Sequence, residues 1–294
     1  MKLLLTGKNG QLGFELQRAL SALGEVIAWD VADCDLRDEA AVRRLVREVR
    51  PDVIVNPAAY TAVDQAERDV DAAHAVNARA PAVLAEEAQM LGALMVHYST
   101  DYVFDGTLTR PYLESDAPAP ISVYGASKLA GEQGVGAHCE RHLTLRTSWV
   151  VGAHGGNFVK TMLRLAQERD HLSVVSDQQG APTSASWLAD LSAHLVRQAQ
   201  RASKSFPYGL YHATASGATD WHAYACHVIE RARAAGRPVR VAPEAIQPIT
   251  SAQYPTAARR PLNSRLDTGL LQATFGLHPP DWKTGVDHIL NQLL

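Results

Sequence analysis

The sequence predicts an α/β fold built on a doubly wound parallel sheet, and three observations predict it. Short apolar runs alternate with helical patterns through the first half of the chain, the order that gives a sheet covered by helices. The opening run Lys2-Leu3-Leu4-Leu5-Thr6 passes straight into Gly7-Lys8-Asn9-Gly10-Gln11-Leu12-Gly13 and then into a helical stretch from Phe14 to Leu23. A later run, Leu94-Met95-Val96-His97-Tyr98, delivers Ser99-Thr100-Asp101 to a strand's carboxyl end, where such sheets bind their ligands.

The elements follow in order. Glycines at Gly7, Gly10 and Gly13, between a strand and a helix, permit a tight turn, close backbone approach to a pyrophosphate and close helix packing. The helix N-terminus offers free N–H groups to the anion. Gln11 and Leu12 belong to the same cofactor loop. The second strand, Glu25 to Trp29, ends at Asp30, at the distance where a carboxylate accepts the adenosine ribose hydroxyls and repels a 2′-phosphate. Asp35-Leu36 either frames the adenine or, through Asp35, caps the helix that starts near Arg37. The strand Val53 to Asn56 leads to Pro57-Ala58-Ala59-Tyr60-Thr61, where Ala58, Ala59 and Thr61 form a small-residue wall beside the cofactor. A helix from about Glu39 to Val49 carries Arg43, Arg44 and Arg47, read as a solvated face. Helices from about Asp71 to Leu91 and from near Tyr124, and a strand from Leu143 to Val150, complete the pattern.

Beyond Val150 the regularity loosens. Residues 1–150 read as the dinucleotide-binding part of a Rossmann-like fold, with returns near 183–200 and 208–216. Residues 151–182 and 217–294 read as a smaller substrate-binding lobe, marked by proline-bearing loops such as Arg237 to Pro248.

Composition sets the outer limits. With 46% hydrophobic residues in 294, 28 Lys plus Arg against 31 acids, and a formal charge of −3, the chain buries a large core and carries no general attraction to nucleic acid. Cys34, Cys139 and Cys226 are odd in number and widely spaced, which argues for reduced thiols rather than disulfides or structural zinc. No apolar run approaches the roughly 20 residues that cross a bilayer, so a soluble, cytoplasmic protein is expected.

The chemistry centres on Tyr124-Gly125-Ala126-Ser127-Lys128, which sets a phenol and an ammonium four positions apart on one helix face. Thr100 adds a hydroxyl. These three residues, with the glycine loop, resemble the extended short-chain dehydrogenase/reductase superfamily. Within it the chain most resembles the dTDP-4-dehydrorhamnose reductase family, nearly end to end. Thr100-Asp101-Tyr102 is the strongest discriminator, because related dehydratases carry Thr-Asp-Glu there.

The resemblance implies reduction of the C4 ketone of dTDP-4-dehydro-6-deoxy-L-mannose (dTDP-4-dehydro-L-rhamnose) to dTDP-L-rhamnose with NADPH or NADH. Tyr124 would be the acid, Thr100 would orient the carbonyl, and Lys128 would hold the nicotinamide ribose and lower the phenol's pKa. Lowering it from about 10 toward 7 takes about 4 kcal/mol, about what one ammonium about 4 Å away contributes at an effective dielectric near 20. Asn77 matches the superfamily's water-relay Asn, or is a solvated helix residue; His97 reads as a packed core or edge histidine. Trp149 and Asp101 are implied sugar contacts, set against core packing for Trp149 and a turn cap for Asp101. Of Arg259 and Arg260 at most one meets the diphosphate, and Arg260 is the candidate. Some family members form dimers bridged by Mg2+ through carboxylates after the Ala181-Pro182-Thr183 motif; Ser186 stands at the corresponding helix here, which argues against a bridging metal and leaves a homodimer open. Two other readings compete: a noncatalytic regulatory subunit of the methionine adenosyltransferase type, and another sugar-nucleotide reductase or epimerase.

Overall fold

The computed structural model, which describes residues 1–294, turns the apolar runs into strands separated by helices. The strands are β1 (Lys2–Leu5), β2 (Glu25–Ala28), β3 (Val53–Asn56), β4 (Leu94–Thr100), β5 (His142–Thr147), β6 (Val150–Val151), β7 (Leu172–Val175), β8 (Gln179–Gly180), β9 (Thr183–Ser184), β10 (Gly209–His212), β11 (Thr219–Asp220) and β12 (Ile246–Ile249). The helices are α1 (Gln11–Ser21), α2 (Glu39–Val49), α3 (Val63–Ala66), α4 (Val70–His74), α5 (Ala80–Leu91), α6 (Val123–His138), α7 (Phe158–Glu168), α8 (Ala185–Arg201), α9 (Trp221–Ala234), α10 (Gly269–Phe275) and α11 (Trp282–Leu293).

Six strands form the central parallel sheet in the order β10-β5-β4-β3-β1-β2. Because successive side chains point to opposite faces, Leu3, Leu5, Val53, Val55, Val96 and Tyr98 join one buried core with α1 and α8. Leu4, Ile54 and Met95 join another with α2 and α5. Both faces are therefore apolar, as a doubly wound sheet requires. The chain leaves β1 in one direction to β2 and in the other to β3, so the switch point lies where Leu5-Thr6-Gly7 and Asn56-Pro57-Ala58 emerge side by side.

A third core belongs to α7, α9 and α11 with β7 and β12, and holds Val159, Val174, Tyr224, Val228 and Ile289. Three short strand pairs, β6-β9, β7-β12 and β8-β11, lie outside the central sheet.

Three local expectations change. The stretch Asp71 to Leu91 is not one α-helix: Ala75–Arg79 is a π turn between α4 and α5, and it carries Asn77. Such turns insert one residue into the helical ladder and occur mostly at functional sites. The strand from Leu143 stops at Thr147, because Trp149 takes a positive φ of 45° before β6 begins. The arginines of α2 are not simply a solvated face. Arg43 and Arg47 both bind Glu87, whose side chain is 1% exposed, and so tie α2 to α5.

Candidate active site

The glycine loop is shaped by contacts that leave no room for side chains. Gly7 has φ +61°, and a Cβ there would lie 2.9 Å from Ala58 Cα. A Cβ on Gly13 would lie 1.9 Å from the Gly7 carbonyl oxygen, so α1 can start this close to β1 only with glycine at that place. Gly10 precedes α1 in extended conformation, and no side chain caps the helix. The free N–H groups of its first turn therefore face a cleft of about 670 Å³. A deep cleft, a bare backbone and an uncapped helix N-terminus fit the pyrophosphate of a dinucleotide.

All thirteen residues assigned to the cofactor from the sequence line this one cleft: Gly7, Gly10, Gln11, Leu12, Gly13, Asp30, Asp35, Leu36, Ala58, Ala59, Thr61, Tyr124 and Lys128. Asp30 accepts hydrogen bonds from the Asn9 and Val31 amides at 2.9 and 2.8 Å. Asp35 does not cap α2; Asp38 does, accepting from the Ala41 amide. Asp35 instead binds Arg37. Lys8 is paired with Asp33 at 2.7 Å.

Tyr124 lies in the first turn of α6, whose N-cap Ser122 accepts from the Gly125 amide. A Cβ on Gly125 would sit 2.2 Å from the Tyr102 carbonyl oxygen, so this glycine lets α6 touch the turn after β4. Thr100 ends β4 there and donates to Asp101 at 2.9 Å. Burial pushes the Tyr124 phenol up to about 12, and hydrogen bonding to Thr100 pulls in the opposite direction. Lys128 does not lower it. Its ammonium donates to the Tyr98 carbonyl at 2.6 Å, and burial brings Lys128 itself down to about 8 despite the opposing charge of Glu132. The phenol is thus raised where a drop toward neutrality was expected, because burial disfavours the phenolate.

Asn77 is neither exposed nor free. Its side chain accepts from the Tyr60 amide and donates to the Tyr60 carbonyl and the Ser127 hydroxyl, at 2.8, 3.0 and 3.0 Å. With both N–H groups used, it clamps the Tyr60 segment to α6. His97 is fully buried, meets the Asn56 side chain at 3.2 Å, and is held well below its ordinary pKa, first by burial and then by Lys128.

Thr100, Asp101, Trp149 and Arg260 are not on the lining of the cofactor cleft. Asp101 is 2% exposed and raised to about 6 by burial, with one carboxylate oxygen unpartnered. Trp149 stacks on Trp221 with ring centroids 3.7 Å apart and covers Gly180. Arg260 is bound by Asp64 at 2.7 Å, so it meets a diphosphate only by leaving that carboxylate. Arg259 is exposed. Ser186 hydrogen-bonds Ser184 at 2.7 Å.

Comparison with known proteins places the chain. A family model described as the RmlD substrate binding domain matches residues 1–294. The chain belongs to that family. Its relatives include the dTDP-4-dehydrorhamnose reductases of Escherichia coli K12, 50% identical over 100% of this chain and 98% of the relative, and of Burkholderia thailandensis, 47% identical over 100% and 99%. A dTDP-4-dehydrorhamnose reductase from Bacillus anthracis, solved in complex with NADP, superposes with a TM-score of 0.89 at 36% identity, covering 99% of both chains. A Thermus thermophilus UDP-glucose 4-epimerase at 22% identity and TM-score 0.77 shares the fold alone.

Within this family member, sequence reasoning missed several cleft residues: Arg37, Tyr98, Ser99, Thr147, Gly155 and Gly156 among them. Ser99 was findable, since it sits beside Thr100 at a strand's carboxyl end. Gly155 and Gly156 were not. They reach the cleft because Gln11 accepts from the Gly152 amide and the Asn157 side chain, both at 2.9 Å, drawing that loop onto the glycine turn.

Proposed function

We propose that the chain reduces the C4 ketone of dTDP-4-dehydro-6-deoxy-L-mannose to dTDP-L-rhamnose, using NADPH or NADH. The observation that carries this reading is the meeting of Tyr124 and Lys128 with the glycine loop in one cleft, beside Thr100, in a chain about half identical to reductases of that name. Bound reduced nicotinamide supplies the hydride. The protein supplies the proton and the geometry. Burial that holds Tyr124 at about 12 keeps its proton in place at neutral pH. A secondary alcohol holds a proton more tightly than a phenol, so transfer from Tyr124 to the developing alkoxide is downhill.

Lys128 would hold the nicotinamide ribose, while Thr100 orients the ketone oxygen and its hydrogen bond steadies the phenolate left behind. The Gly7–Gly13 backbone and α1 would hold the pyrophosphate, and Asp30 the adenosine ribose. Asp101, Trp149 and Arg260 would serve the sugar nucleotide in the lobe formed by 151–182 and 217–294. For Arg260 this requires exchange of Asp64 for the diphosphate. No helix is long and apolar enough to cross a membrane, and a cytoplasmic site of action belongs to the same proposal.

The test is turnover with the 4-keto sugar nucleotide generated in place by an epimerase. Loss of reduced-nicotinamide absorbance, about one equivalent per dTDP-L-rhamnose identified by chromatography, is expected. Folded protein that binds cofactor yet leaves the ketone unreduced would refute the proposal and favour a regulatory role.

A further inference from the structure

The adenosine end of the cleft is lined by opposed charges, only one of which is free to change partner cheaply. Asp30 is held by two backbone amides and meets no cation. Lys8 is committed twice, to Asp33 at 2.7 Å and to the Ala28 carbonyl at 3.3 Å. Lys8 is not on the cleft lining, whereas Arg37 is. The Arg37 Nε lies 3.0 Å from both Asp35 oxygens and its Nη2 2.6 Å from Oδ2. The two side chains are 58% and 37% exposed, and an ion pair so open to water contributes little.

We propose that Arg37 determines how well the cleft accepts the 2′-phosphate of NADPH, by exchanging Asp35 for the phosphate, and that Asp35 holds this acceptance down. The inference rests on the cofactor reading of the cleft given above. Asp30 accepts the paired hydroxyls of an unphosphorylated ribose and repels a 2′-phosphate. A guanidinium binds a phosphate through two parallel N–H bonds, as it now binds Asp35, and a phosphate with more than one negative charge is the stronger partner. Arg37 therefore offsets Asp30 only to the degree that Asp35 lets it go, and the competition sets the ratio of the two cofactors.

The experiment measures dissociation constants of 2′,5′-ADP and 5′-AMP by calorimetry, with no substrate present, so it is independent of whether the ketone is reduced. The readout is the ratio of the two constants, which a general loosening of the cleft leaves unmoved. Arg37→Ala is expected to shift the ratio about tenfold against 2′,5′-ADP, the effect of losing one charged hydrogen-bonded partner. Asp35→Asn keeps the side chain's shape, removes the competing charge, and is expected to shift the ratio about threefold toward 2′,5′-ADP. In the double variant that gain should vanish. An unchanged ratio in Arg37→Ala, or an Asp35→Asn gain that persists without Arg37, overturns the proposal. Wild-type protein that binds neither nucleotide would overturn it too, by removing the cofactor reading itself.

Discussion

Replacing Lys128 with Met is expected to abolish turnover and yet make the folded protein more stable at neutral pH. The ammonium is 3% exposed, and burial takes its pKa from the ordinary 10.5 to about 8. That difference corresponds to roughly 3 kcal/mol of destabilisation whenever the group is protonated in both states. Met fills a similar volume without charge. It also gives up the hydrogen bond to the Tyr98 carbonyl, about 1.5 kcal/mol, which leaves a net gain of about 2 kcal/mol at pH 7. For a chain of 294 residues this raises Tm by about 3 °C.

The pH dependence carries its own sign. Between about pH 8 and 10.5 the unfolded chain holds the Lys128 proton and the folded protein does not, so the wild type regains stability as pH rises through that window. The advantage of Lys128→Met should accordingly shrink from about 2 kcal/mol at pH 7 to about zero at pH 9.5. Urea unfolding of both proteins, without cofactor, at the two pH values measures it. A variant less stable than wild type at pH 7, or a difference indifferent to pH, would refute the claim that the ammonium is held against desolvation.

Three further outcomes follow from the same geometry. Tyr124→Phe should lower kcat by about a thousandfold, within the range of a lost general acid, while calorimetry finds NADPH binding retained; near-normal turnover would remove Tyr124 as the proton donor. Asp30→Ala should raise the NADPH-to-NADH ratio of kcat/KM about fivefold, the ~1 kcal/mol that two unit charges about 4 Å apart exchange in water, and an unmoved ratio would mean that this carboxylate does not face the ribose. Glu132→Ala should destabilise the fold by about 3–5 kcal/mol, because it strands Arg146, whose side chain is 4% exposed and bound by Glu132 through two hydrogen bonds; denaturant unfolding showing under about 1 kcal/mol would place water or another acid beside Arg146.

The sequence by itself determined what is local or periodic. The alternation of apolar runs with helical patterns specifies a parallel sheet covered by helices, and the Gly7, Gly10 and Gly13 spacing specifies a strand-to-helix turn that no side chain at Gly7 or Gly13 would permit. The four-residue step from Tyr124 to Lys128 specifies a shared helix face. Each depends only on neighbours along the chain, so the pattern is written in consecutive residues. The tertiary structure decided everything that depends on partners distant in sequence. Asp64 lies 196 positions from the Arg260 it binds, and Trp221 stacks on Trp149 from another element. Above all, it decided ionisation. Nothing in the spacing of Tyr124 and Lys128 reveals that the folded chain leaves Lys128 only 3% exposed, or that burial raises the phenol and lowers the ammonium.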